Sequence, residues 1–220
     1  MSTTPHHESN RRFYDRISAA YDLIADSNEK AARQAGLTAL GVKEGERALE
    51  LGFGTGNEVA DLAELVGEAG LVAGIDISPG MLEVTRRKLT ARDVKAPLDL
   101  KVGDARRLPW ADGSFDAVYS SFTLELFPLE DIPGVLGECQ RVLRPGGRIG
   151  GVSMATVKAG HSASTLEKAY VWMHRHFPHL VDCQPIDLEG YIRGAGFQVV
   201  QTVDMEIWTM PVVAVVGRKA

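Results

Sequence analysis

Short apolar runs alternate along the chain with longer stretches whose apolar positions recur at helical spacing. Residues 46–51 (ERALEL), 71–76 (LVAGID), 98–102 (LDLKV), 115–120 (FDAVYS) and 147–153 (GRIGGVS) predict strands. Most are rich in Val, Ile, Leu or aromatics and are bounded by Gly, Pro or Asp. From about 130 to 143, Ile132, Val135, Leu136, Cys139, Val142 and Leu143 fall on one helical face, and Arg144-Pro145-Gly146-Gly147 ends that helix. Another helix opens at Ser78-Pro79, an N-cap followed by proline at the first helical position. Strand–helix repetition at this spacing predicts a parallel sheet covered by helices on both faces. The last third departs from that rhythm. A helix near 163–177 and a shorter one near 187–195 precede two strands, Phe197–Met205 and Met210–Arg218. Only residues 206–209 separate those strands, too few for a crossover, so an antiparallel hairpin is expected. The predicted fold is α/β, with a seven-stranded mixed sheet.

Composition narrows the classes. A chain of 220 residues, 45% hydrophobic and 24% charged, has the make-up of one globular domain with a real core. A net charge of −5 argues against wrapping nucleic-acid phosphates, so no nucleic-acid partner is expected. Two cysteines, Cys139 and Cys183, cannot build a disulfide framework or a zinc site alone. No apolar run reaches the roughly 18 residues that span a bilayer. The polar start, Met1 to Arg12, lacks an apolar signal core, so a cytoplasmic location is expected.

The most informative stretch is Glu50-Leu51-Gly52-Phe53-Gly54-Thr55-Gly56-Asn57, which ends the first strand and opens a helix. Glycine at three alternate positions lets the backbone turn sharply and lets a ligand lie against it. A dinucleotide loop would place its third glycine at position 57, where this chain has Asn. Glu50 also suits a cationic group better than a phosphate. Both features favour a ligand with a positive end over NAD. Twenty residues past Gly56, Asp76 ends the second strand, where a carboxylate can accept both hydroxyls of a ribose. Asp104 ends the third strand and can accept from an exocyclic amine such as adenine N6. Ile77, Met81 and Leu82 can wall the ring, and Met81 and Leu82 equally suit plain core.

These residues resemble the class I S-adenosylmethionine-dependent methyltransferases, a Rossmann-like family, and within it the ubiquinone/menaquinone biosynthesis C-methyltransferases. Glu50 to Gly56 matches the first motif, with Phe53 where Cys, Ala or Gly is more usual. Leu65 to Glu68, Asp76-Ile77-Ser78 and Met81-Leu82 to Lys88-Leu89 match the second region. Gly103-Asp104-Ala105, Leu108-Pro109 and Phe115-Asp116 match the third and fourth. Arg141 to Arg148 matches the motif before the fifth strand, and Phe13 to Ile17 with Tyr21-Asp22 resembles the quinone enzymes' N-terminal segment. The resemblance implies S-adenosylmethionine as cofactor, S-adenosylhomocysteine as its product and no metal. It places Thr55, Gly52, Gly54 and Gly56 along the methionine portion and Glu50 near its ammonium. It puts Asp76 on the ribose diol, Asp104 and Ala105 on the adenine, Ser121 on the cofactor and Tyr21 over it as a lid. Residues 1–40 would then be an N-terminal helical lid, 44–155 the cofactor-binding core, and 156–220 substrate-side helices and the hairpin of one domain.

Methyl transfer from a sulfonium is an in-line displacement that needs positioning more than covalent participants. A weakly nucleophilic acceptor would need a base. His161, with His174, His176 and His179, and Glu125 just past the fourth strand, are the candidates. The chain departs from the quinone enzymes at Glu125-Leu126, where they carry Arg-Asn, and it has no N-P-P-Y-type tetrad. Trp172, Met173, Phe177, Trp208 and Met210 can form core, an apolar acceptor pocket or a homodimer face. The expected function is methylation of a small, apolar or aromatic molecule. The alternatives are a quinone-ring C-methyltransferase proper, a phospholipid head-group N-methyltransferase, an NAD-dependent oxidoreductase, and a nucleoside-binding module without catalysis.

Overall fold

A computed structural model describes residues 21–156, 184–207 and 210–220, and for residues 21–28 the backbone alone. The described residues form one seven-stranded sheet with the order β3-β2-β1-β4-β5-β7-β6. Its strands are β1 (Arg47–Leu51), β2 (Leu71–Asp76), β3 (Leu98–Val102), β4 (Phe115–Ser121), β5 (Leu143–Met154), β6 (Gln198–Ile207) and β7 (Met210–Arg218). The first five run parallel, and β7 lies antiparallel to both β5 and β6. The hairpin is tight: Ile207 pairs with Met210. The described helices are α1 (Tyr21–Leu40), α2 (Asn57–Val66), α3 (Pro79–Ala91), α4 (Ile132–Val142) and α5 (Leu188–Gly194).

Adjacent residues of one strand point to opposite layers. Ala48, Val72 and Ala117 join the core under α1, α2 and α3, whereas Leu49, Ala73 and Val118 join the core under α4 and α5. Both faces are thus covered by helices, which is why the central strands read as continuous apolar runs. The predicted helix near 163–177 lies outside the described residues.

One boundary differs from the expectation. The helical pattern predicts α4 to about residue 143 and the next strand from 147, yet Leu143 is already extended and pairs with Phe115. Pro145 disfavours helical backbone at the residue before it, so the chain has left the helix by then. The early start is absorbed by a register shift between Phe115 and Ala117.

Helix α1 is seated on the sheet by polar and steric contacts. The Tyr119 hydroxyl donates to the Arg33 carbonyl at 2.8 Å. A Cβ on Gly36 would lie 2.9 Å from that hydroxyl, so only glycine lets the helix come this close. At its carboxyl end, Arg148 of β5 donates to the carbonyls of Leu40 and Gly41 at 2.6 Å and pairs with Glu46. These bonds satisfy carbonyls that a helix terminus leaves open.

Candidate cofactor-binding site

Parallel strands bring their carboxyl ends to one edge of the sheet, and strand order reverses between β1 and β4. The crevice outside that switch point is where open α/β sheets take ligands. The glycine loop sits there. Gly52 donates to the Ile75 carbonyl and Gly56 to that of Phe53, both at 2.8 Å. Gly52, Gly54 and Gly56 have φ of +66°, +49° and +81°, a region that side chains disfavour. Their surroundings differ. A Cβ on Gly52 would run into Thr123, and one on Gly56 would lie 2.5 Å from Thr85, whereas one on Gly54 would meet nothing within 4 Å among the described residues. Among the described residues, Gly54 is the position of the three that no side chain crowds. The unusual Phe53 is buried and its ring lies where a Cβ on Gly74 would be, at 2.9 Å, so the large residue in the loop is matched by a missing side chain in β2.

Asp76, at the tip of β2, is 9% exposed and braces this loop. One carboxylate oxygen accepts from the Gly54 N–H at 2.8 Å and the other from the Ser78 N–H at 2.9 Å. Ser78 in turn caps α3 by accepting from the Met81 N–H. From α3, the Thr85 hydroxyl donates to the Gly54 carbonyl at 2.8 Å. Lys88 donates to Asn57 at 2.6 Å and to Thr55 at 3.3 Å. The loop is thus held from two elements, the tip of β2 and α3.

Glu50 is the chemically unusual member. It is 1% exposed, and among the described residues neither of its oxygens has a hydrogen-bond partner. Burial, joined by the carboxylates of Glu58 and Asp76 and opposed by Arg33, pushes its pKa well above the usual carboxylate range. Glu58 itself is paired with Arg33 of α1 at 2.5 Å. In the ligand-free protein a raised pKa adds stability that is fully present below the ordinary value of 4.5 and is lost as pH rises through the folded value. Glu50→Gln is therefore expected to raise ligand-free stability at neutral pH by about 1–3 kcal/mol and to flatten its pH dependence. The same change should weaken binding of a cationic ligand roughly tenfold or more. Thermal melts at pH 5 and pH 8, with and without ligand, measure both effects.

The remaining expected residues divide. Ile77 is half-buried next to Asp76, and Ala105 is buried beyond β3. Met81 is 2% exposed and packs in the core under α1–α3, the plain-core alternative. Asp104 stands at the tip of β3 with its carboxylate engaged by Arg106. Ser121 is half-buried at the tip of β4, and Phe122 beyond it takes a left-handed φ of +48°. Strain of that kind gathers where a backbone is shaped for a ligand. Tyr21 opens α1 but its side chain lies outside the described residues, as do His161, His174, His176 and His179, and Trp172, Met173, Phe177 and Trp208. Glu125 is fully buried, accepting from the Ser153 hydroxyl and, at 2.9 Å, from the Met154 N–H. That is the placement of a brace on the end of β5. Glu125→Ala is expected to cost about 2–4 kcal/mol in chemical denaturation, because it strands a buried backbone donor.

Sequence reasoning missed Glu58 and Arg33. Glu58 reads as an acid suited to a helix amino end, and Arg33 carries no motif. Only the folded sheet brings both against Glu50.

The residues fit S-adenosylmethionine on three counts: an unpartnered buried carboxylate for a cation, an open cradle at Gly54, and a carboxylate at the tip of β2. Residues 48–147 match the family described as Methyltransferase domain. The chain is 37% identical over 141 residues to a demethylmenaquinone methyltransferase of Lactobacillus johnsonii, covering 62% of this chain and 57% of that protein. It is 41% identical over 142 residues to one from Beutenbergia cavernae, covering 62% and 54%. The chain thus spans little more than half the length of these relatives. In fold it is similar to a geranyl diphosphate C-methyltransferase of Streptomyces coelicolor, with a TM-score of 0.77 over 100% of both chains at 13% identity. Sheet order, glycine loop and the match over residues 48–147 make this region similar to a methyltransferase domain, and its residues fit S-adenosylmethionine. Over these stretches the sequence is similar to demethylmenaquinone methyltransferases. Among the described residues no helix is long and apolar enough to cross a membrane.

Proposed function

We propose that the protein methylates a small apolar or aromatic acceptor. The observation that carries the donor half of this reading is Glu50, buried and without a hydrogen-bond partner among the described residues, behind the cradle at Gly54. When bound, S-adenosylmethionine supplies an electrophilic methyl carbon on a sulfonium. Glu50 would hold its ammonium, Thr55 and the glycines its methionine chain, Asp76 its ribose diol, and Asp104 with Ala105 its adenine. Ser121 and Tyr21 would contact it from the β4 tip and from the lid segment. Held on both ends, the donor would present its methyl in line to an acceptor in a site closed to water. The acceptor side would come from residues 156–220.

The relatives' name supports a quinol ring as acceptor. Against quinone specificity stands Glu125-Leu126 in place of Arg-Asn, with Glu125 used as an internal brace. The coarser acceptor class is therefore the reading preferred here, and the net charge of −5 favours a small molecule over nucleic acid. Donor-consumption assays on demethylated quinols, phospholipid head groups and phenols test it. Turnover of demethylated quinol alone supports the quinone-ring enzyme, and turnover of a head-group amine alone overturns the apolar-acceptor reading. Donor binding without turnover on any of them overturns the enzyme reading in favour of a binding module.

A further inference from the structure

Arg106 lies two residues beyond Asp104, on the loop that follows β3, and its guanidinium is clamped between two carboxylates. Nε lies 3.1 and 3.0 Å from the two Asp104 oxygens, and Nη2 lies 2.6 Å from one of them. The Arg106 backbone N–H adds a fourth bond to Asp104 at 2.9 Å. On the other side, Nη1 donates to Asp131 at 2.9 Å. Asp131 is the residue from which α4 starts, and α4 is fixed by the buried Ile132, Val135 and Leu136. The clamp therefore refers the orientation of Asp104 to the start of a well-packed helix.

Such a clamp does little for the fold. The Arg106 and Asp104 side chains are 30% and 37% exposed, and ion pairs this open to water contribute little stability. What it does is remove the rotational freedom of a carboxylate at the tip of β3. One guanidinium against two carboxylates also leaves the trio net negative, so an amine donor is still favoured there and a carbonyl oxygen disfavoured.

We propose that Arg106 is a positioning residue that aims Asp104 at the exocyclic amine of adenine and so sets the preference for adenine over a 6-oxo purine. This rests on the assignment of Asp104 to adenine made above. The two ideas fail separately.

Calorimetric binding of S-adenosylhomocysteine and of S-inosylhomocysteine, which carries a 6-oxo group in place of the amine, tests both. The native protein is expected to prefer the adenine ligand about tenfold or more. Arg106→Ala should weaken the adenine ligand about two- to tenfold and leave the 6-oxo ligand unchanged, narrowing the ratio. Arg106→Lys keeps the charge but not the planar fork, and should fall between. An unchanged ratio in Arg106→Ala, or in Arg106→Lys should the alanine variant fail to fold, overturns the role of Arg106. Equal weakening of both ligands overturns it too, since a loosened loop would do that. A native protein indifferent to the two ligands overturns the assignment of Asp104 to adenine itself.

Discussion

Asp76→Ala is expected to weaken S-adenosylhomocysteine binding by more than about a hundredfold, since it removes charge-assisted bonds to a ribose from a site built around them. It has a second effect that can be measured apart from the first. Asp76 accepts from the N–H groups of Gly54 and Ser78, so the variant leaves both without their acceptor. A stability loss of about 2–4 kcal/mol should follow, visible in denaturant unfolding. Asp76→Asn separates the two. Its amide keeps one acceptor oxygen for the backbone and turns the other position into a donor. Stability should return in part, while ligand affinity stays low. Native-like affinity in either variant would remove Asp76 from the ligand.

The glycine loop yields the second large effect, as a contrast between neighbours. At Gly54 a new Cβ meets no atom of the described residues within 4 Å, so Gly54→Val should fold. The cost is the left-handed backbone, about 1–3 kcal/mol. Its side chain would stand in the cradle, and binding of S-adenosylhomocysteine should be lost. At Gly56 the Cβ would lie 2.5 Å from Thr85, which is itself fully buried and bonded to the Gly54 carbonyl. Gly56→Val adds that clash to the same backbone strain, so about 3 kcal/mol or more of stability should go with it. Differential scanning calorimetry beside a ligand titration distinguishes the two outcomes. Equal loss of stability in both variants would mean that the space at Gly54 is not a ligand cradle.

Much of this architecture is legible in the sequence because it rests on local pattern. Leu49 and Leu51 beside Ala48 announce a strand buried on both faces, and the spacing of Ile132, Val135, Leu136 and Cys139 announces a helix with one apolar side. Ser78-Pro79 fixes a helix start to the residue, since a cap and a proline act within one turn. The glycine loop stands out because left-handed backbone leaves few other choices. What the sequence conceals is the consequence of packing between distant segments. Glu125 looks like a candidate base beside a crevice, yet β5 folds over it and takes both its side chain and its position. Met81 can wall a ring or fill a core, and only the folded chain shows it packed in the cluster under α1, α2 and α3. Arg33 lies 25 residues before Glu58 and carries no signature of its own, because its role follows from where α1 lands. Phe53 stands where the family that the loop resembles usually has a small residue, and Gly74 in the next strand makes room for it.

The buried Glu50 carboxyl under the glycine loop and the carboxylate at the tip of β2 are the two groups proposed to capture one sulfonium nucleoside. Isothermal titration of the full chain with S-adenosylhomocysteine at two temperatures tests this most directly. One ligand per chain should bind with a dissociation constant within about 1 μM–1 mM, the usual range for an enzyme's substrates, and Glu50→Gln should reduce the affinity. Absence of heat at both temperatures, or equal affinity in native and Glu50→Gln proteins, would contradict it.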